Sequence, residues 1–215
     1  MNNKTIIIGA IAIALLGIGG YTVLAPLQMS TMDHSAMAPA DGSATPGYQA
    51  AMDGMMKGMA VAPTGKPDLD FIQGMIPHHQ GAIDMAKVVL QHGKDAEVKT
   101  FAENVVKAQE GEIAFMNAWL AKTDKNALVS VPESTQGNAA AMATMMKDMM
   151  VPYSGDADVD FVKGMIPHHQ GAIDAAKVAL QHAKDPEVLK LAQDIVSAQE
   201  SEITFMNNWL KRMGK

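Results

Sequence analysis

Apolar positions in this chain fall into long stretches with helical spacing, separated by short polar breaks. Between residues 68 and 92, Phe71, Met75, His78, His79, Ala82, Ala86 and Val89 share one broad face at about 100° per residue. Gln73, Gln80, Asp84 and Lys87 share the opposite face. The pattern predicts a helix to about His92, opened after the breaking stretch PTGKPDLD with Asp68 or Asp70 as its cap. Gly93-Lys94-Asp95 reads as a tight turn, and a second helix follows from about Ala96 to Ala121, with Gln109, Glu112, Met116 and Trp119 on one stripe. A shorter Met-rich helix, YQAAMDGMMKGMAV, precedes the pair. No stretch alternates as a strand does, so the fold class is all-α.

The whole pattern is then written again at an offset of 90 residues. GMIPHHQGAIDMA at 74–86 recurs as GMIPHHQGAIDAA at 164–176, Met52, Met55, Met56 and Met59 recur as Met142, Met145, Met146 and Met149, and Trp119 recurs as Trp209. A period seen twice is a duplication, not a solenoid. A single helical hairpin buries little surface, so the two hairpins are expected to bury each other's apolar faces as a four-helix bundle, with the short Met-rich helices packed across it. The expected segments are 1–28, an N-terminal membrane segment; 29–47, a flexible Met/His-rich linker; 48–122, the first repeat; 123–137, a second linker; and 138–215, the second repeat.

After Lys4 the chain runs TIIIGAIAIALLGIGGYTVLA and carries no charge until Asp33. Roughly 20 apolar residues at about 1.5 Å each would span a hydrocarbon core of about 30 Å. Such a segment is a signal peptide or an uncleaved anchor. Val23-Leu24-Ala25 has the small-residue form of a cleavage site, but Pro26 follows it directly. An anchor is therefore expected, with Lys4 inside and the rest of the chain exported to the periplasmic or extracytoplasmic side. The net charge of −6 supplies no basic surface for nucleic acid. The 19 methionines and the absence of cysteine change the picture more. Without Cys there is no disulfide framework, zinc-thiolate site or redox CxxC pair.

The repeated motif carries the candidate chemistry. Met75 stands three residues before His78 and four before His79, so their side chains converge on one helix face. Pro77 removes a backbone donor and is expected to bend the helix, with Gly74 and Gly81 letting a neighbour approach. With the turn centred near residue 94, His78 and His79 are expected level with Gln109 and Glu110, and Met75 near Glu112 and Met116. The second copy repeats this with Met165, His168, His169, Gln199, Glu202 and Met206. Three readings compete. In the first, the histidines are satisfied by Glu110 or Glu112 and the methionines are core. The second, a di-iron centre, needs Glu-x-x-His pairs, and the chain contains no ExxH or HExxH. The third is a soft-metal site: imidazole and thioether without thiolate suit Cu(I) or its mimic Ag(I), and imidazoles alone also accommodate Cu(II). Outside the cytosol Met is the soft donor that does not form disulfides. Met29, Met32, His34 and Met37 crowd one short stretch and are further candidate ligands. Met55, Met56 and Met59, with Met145, Met146 and Met149, serve equally well as a packing face or as metal donors. Met85 and Met213 have no counterpart in the other copy.

GMIPHHQGAIDMA, preceded by DLDF and followed by EIAFMNAWL, resembles the domain-of-unknown-function 305 family across both copies. The resemblance implies a ferritin-like helical bundle, commonly exported, and one cyanobacterial member is a periplasmic copper-binding protein. Met75, His78, His79, Met165, His168 and His169 match the family signature. MSTMDHSAM at 29–37 resembles the Met/His tracts of exported copper-resistance proteins. The expected function is non-enzymatic: sequestering Cu(I) or handing it on, with a copper-transfer protein as partner. The chain offers no Ser-His-Asp set, phosphate loop or acid pair. The alternatives are a metal-free helical interaction module and a copper oxidoreductase.

Overall fold

Six helices follow one another, with no strand among the described residues, in a computed structural model that describes residues 43–150 and 152–215. They are α1 (Thr45–Met59), α2 (Pro67–His92), α3 (Ala96–Lys122), α4 (Glu133–Asp148), α5 (Ala157–His182) and α6 (Pro186–Arg212). The N-terminal segment and the Met/His tract at 29–37 lie outside the described residues. No helix among the described residues is long and apolar enough to cross a membrane.

Local signals account for most of the ends. Asp95 caps α3 by accepting from the backbone N–H groups of Glu97 and Val98, and Asp185 caps α6 through Glu187 and Val188. Asp156 caps α5 in the same way, whereas α2 begins with Pro67 at its first turn and has no side-chain cap. The expectation that Asp68 or Asp70 caps α2 is therefore corrected. Asp70 instead accepts from Thr64 N, Thr64 Oγ1 and Gly65 N, holding the turn whose Gly65 has φ 75°. Asp160 repeats this on Ser154 and Gly155, where φ is 82°. Positive φ at these two positions is what glycine permits cheaply. Asp68 reaches the other repeat, accepting from Lys184 N and Asp185 N at 3.0 and 2.8 Å, and Asp158 returns the contact to Lys94 N and Asp95 N at 2.8 and 3.2 Å. Helix α4 opens at Glu133, inside the stretch expected to be linker.

The two hairpins, α2–α3 and α5–α6, pack through α2 against α5, with α1 laid on α2 and α4 on α5. Ion pairs Glu97–Arg212 and Lys122–Glu187 tie the start of α3 to the end of α6 and the reverse, so these two helices run antiparallel. The apolar interior forms two clusters. One joins the N-terminal part of α2 and the C-terminal part of α3 to the later part of α5 and the start of α6, around Ile72, Met75, Met116 and Trp119. The other joins α1 and the opposite halves of the same four helices, around Phe101, Phe161, Met165, Met206 and Trp209. Both Pro77 and Pro167 sit inside uninterrupted helices.

Candidate metal centre

His78 and His79 lie on α2 between Met75 of one apolar cluster and Ala82 of the other, and His168 and His169 occupy the matching place on α5. The bundle thus carries a polar layer between two apolar ones. Helix periodicity turns all four imidazoles inward, and each is at most 2% exposed. The His78 and His168 rings meet across the interface between repeats, their centroids 3.8 Å apart and their planes tilted by 43°. His79 and His169 stand on either side, at 6.2 and 6.0 Å from their chain neighbours. The sequence gathers donors within each hairpin and leaves open whether the two copies meet; the helix crossing brings the four rings into one layer.

The hydrogen bonds fix how these rings are used. His79 Nε2 lies 2.5 Å from Glu112 Oε2, and His169 Nε2 lies 2.6 Å from Glu202 Oε2. His168 Nε2 lies 3.0 Å from the His78 carbonyl oxygen. Carboxylate and carbonyl oxygens accept, so in each case Nε2–H donates and, in the neutral ring, the lone pair resides on Nδ1. The Nδ1 atoms of His79, His168 and His169 are buried without a hydrogen-bond partner, as are both ring nitrogens of His78 and the side-chain oxygens of Gln109 and Gln199. Leaving one such atom unpaired costs about 1–3 kcal/mol, so an interior that leaves seven of them together is built for an occupant or carries a substantial penalty. An imidazole that donates one nitrogen to a carboxylate or carbonyl and offers the other is the arrangement of a metal-ligating histidine. Burial holds the pKa of both His78 and His168 well below the ordinary value, and the neighbouring imidazoles add to this, outweighing a backbone contact that acts the other way. These two rings are therefore neutral at physiological pH, the form that can bind a metal. Among the described residues no group of three or more His, Asp or Glu side chains is preassembled as a metal cage.

Of the two carboxylates expected to satisfy the histidines, the structure selects one, three residues beyond the level counted for His79. Glu112, not Glu110, faces His79, and Glu110 is exposed. The stripe Gln109, Glu112, Met116, Trp119 identifies Glu112 by its spacing, whereas counting from an assumed turn centre does not. Met75 and Met116 are buried together in one apolar cluster, and Met165 and Met206 in the other, so each thioether pair adjoins the imidazole layer from an apolar side. Met55 and Met145 press on α2 and α5 at Gly81 and Gly171, where a Cβ atom would stand 2.8 and 2.6 Å from the methionine side chain. Gly81 gives a neighbour close approach as expected; Gly74 has nothing within 4 Å of its Cβ position. Met56 and Met59 pack at the core edge, Met149 is buried, and Met146 is 42% exposed and stands apart from the other candidates.

A family profile described as "Domain of unknown function (DUF305)" matches residues 68–210. Among solved structures, the chain is similar to CopM in the Cu(II)-bound form, at 34% identity and a TM-score of 0.54, covering 68% of this chain and 97% of CopM. CopM has also been solved in apo, Cu(I)-bound and Ag-bound forms. The chain is likewise similar to a DUF305 fragment from Deinococcus radiodurans, at 29% identity and a TM-score of 0.51, covering 70% of this chain and 99% of the fragment. Uncharacterized protein L153 of Acanthamoeba polyphaga mimivirus is 43% identical over 53 residues, 25% of this chain, and the match spans 35% of that protein's length.

Proposed function

We propose that this chain, which belongs to the DUF305 family, is an exported copper-binding protein that takes up Cu(I) as cargo and holds it or hands it on. The observation that carries the reading is the buried layer of four imidazoles, three of which donate Nε2–H to a fixed acceptor and offer an unpartnered Nδ1. His78, His79, His168 and His169 would hold the ion. Met75, Met116, Met165 and Met206 supply soft sulfur from the adjoining layers, which favours Cu(I) and Ag(I) over hard cations. That CopM is known in copper-bound and silver-bound forms supports the same cargo. Uptake and release by ligand exchange need no catalytic group, so sequestration or transfer for metal tolerance is the role. The apolar N-terminal segment would anchor the bundle outside the cytosol, with the Met29, Met32, His34 and Met37 tract as a first point of capture and a copper-transfer protein as recipient.

The test is titration of the chain from residue 29 onward with Cu(I) against a chelating competitor. Stoichiometric competition is expected; none beyond that of a Met-poor control protein removes the proposal. Because the rings of the two copies meet, His78→Ala combined with His79→Ala is expected to abolish well over half of the nitrogen-ligated Cu(I), read by X-ray absorption. A loss of only half would return the reading to two independent half-sites.

A further inference from the structure

A second place where soft donors converge lies away from the imidazole layer, where α1, α2 and the end of α4 meet the start of α5. A partly open cavity of about 20 Å³ lies there, room for about one water-sized occupant. Three methionines from three different elements line it: Met52 of α1, Met85 of α2 and Met149 just after α4. Met85 and Met149 are 3% and 6% exposed, whereas Met52 is half-buried and Tyr153 is 36% exposed. Tyr48 and Tyr153 complete the wall with stacked rings, centroids 6.1 Å apart and 11° from parallel. The Tyr48 hydroxyl donates to the Ala157 carbonyl at 2.8 Å and is thereby committed to the backbone.

We propose that this cavity is a trithioether site for a single Cu(I) or Ag(I) ion, with Met52, Met85 and Met149 as its donors. The proposal rests on the copper reading above and adds a site outside the histidine layer. Thioethers bind such ions without losing a proton, and the unbranched Met side chain can turn its sulfur into a small void. Neutral donors leave the ion's charge uncompensated, and Asp160 on the cavity wall supplies a negative one. Its carboxylate already accepts from Ser154 N, Ser154 Oγ and Gly155 N, so it acts as a fixed charge and not as a ligand. Lys163 also borders the cavity and opposes the ion, but it is only half-buried, and its long stem can carry the ammonium into water. The duplication supplies an internal contrast. At the matching positions of the other half, Met85 is replaced by Ala175, Tyr48 by Asn138 and Tyr153 by Pro63. Only one half carries the third sulfur and the two rings, so the site breaks the pseudo-symmetry that the imidazole layer keeps.

The experiment counts the Ag(I) equivalents the full chain retains after desalting and reads the silver ligands by X-ray absorption. Met85→Leu and Met149→Leu conserve volume and are expected each to lose one equivalent together with sulfur scattering. His78→Ala combined with His168→Ala should leave that sulfur-bound equivalent in place. Far-UV circular dichroism checks folding, and Met52→Leu, at a half-exposed position, replaces any variant that fails it. Full retention of Ag(I) by folded leucine variants overturns the site while leaving the copper reading intact. A wild-type chain that retains no Ag(I) overturns both.

Discussion

A neutral imidazole in a buried interior has one donor and one acceptor nitrogen; His79, His168 and His169 satisfy the donor and leave the acceptor open, while His78 leaves both nitrogens without a partner. That choice has a consequence for acid stability in the metal-free protein. His78 and His168 have folded-state pKa values below the unfolded value of about 6.5, so the unfolded chain takes up protons first as pH falls. Their contribution is fully present above about pH 6.5 and is lost progressively as pH drops from there towards the folded values. Urea-unfolding midpoints of the metal-free chain are expected to hold steady between pH 8 and about 7 and to fall below about 6.5. The variant carrying both His78→Gln and His168→Gln should show a shallower fall; an unchanged slope would mean that these rings are not the titrating groups. At this scale the inward direction of the histidines was legible from the 3.6-residue period. The identity of Glu112 as partner was legible too, from the stripe it shares with Trp119. The meeting of His78 with His168 was not, because it depends on how two helices cross.

Among the elements, α1 is held to α2 by small residues. A Cβ at Gly58 would stand 2.6 Å from the Pro77 ring, a rigid neighbour, whereas a Cβ at Gly54 would meet nothing within 4 Å. The two glycines of one helix should therefore respond with opposite sign. Gly58→Ala is expected to destabilise by about 1–3 kcal/mol through overpacking and to raise hydrogen exchange in α1. Gly54→Ala is expected to stabilise by up to about 1 kcal/mol through helix propensity. Thermal melts with exchange mass spectrometry check both, and equal effects would mean that α1 does not seat on Pro77. Sequence periodicity left the short Met-rich helices undecided between packing and metal capture. The structure gives their packing: Met55 and Met145 are packed into the core, and Met146 is 42% exposed.

Across the whole molecule the two repeats are interlocked by reciprocal contacts that neither could make alone. Asp68 and Asp158 each close the turn of the opposite hairpin, and Trp119 Nε1 donates to Asp185 at 3.1 Å. Residues 43–122 and 133–215, produced separately, should give little helical signal as monomers, and an equimolar mixture should recover it. Far-UV circular dichroism with size-exclusion chromatography tests this; a half that melts cooperatively as a monomer would show that each hairpin folds by itself. The duplication told the sequence reader that two like units exist and that they share a core. It did not tell which residues of the two units touch.

Helix identity, the inward placement of donors and the doubled motif follow from the chain alone, because they depend on spacing within a few residues and on the immediate chemistry of each side chain. The merging of two histidine pairs into one buried layer was decided by tertiary structure. So were the cross-repeat roles of Asp68 and Asp158 and the one-sided methionine cavity. Each depends on the crossing and stagger of helices far apart in sequence, which are set by the packing of whole faces and not by any local signal.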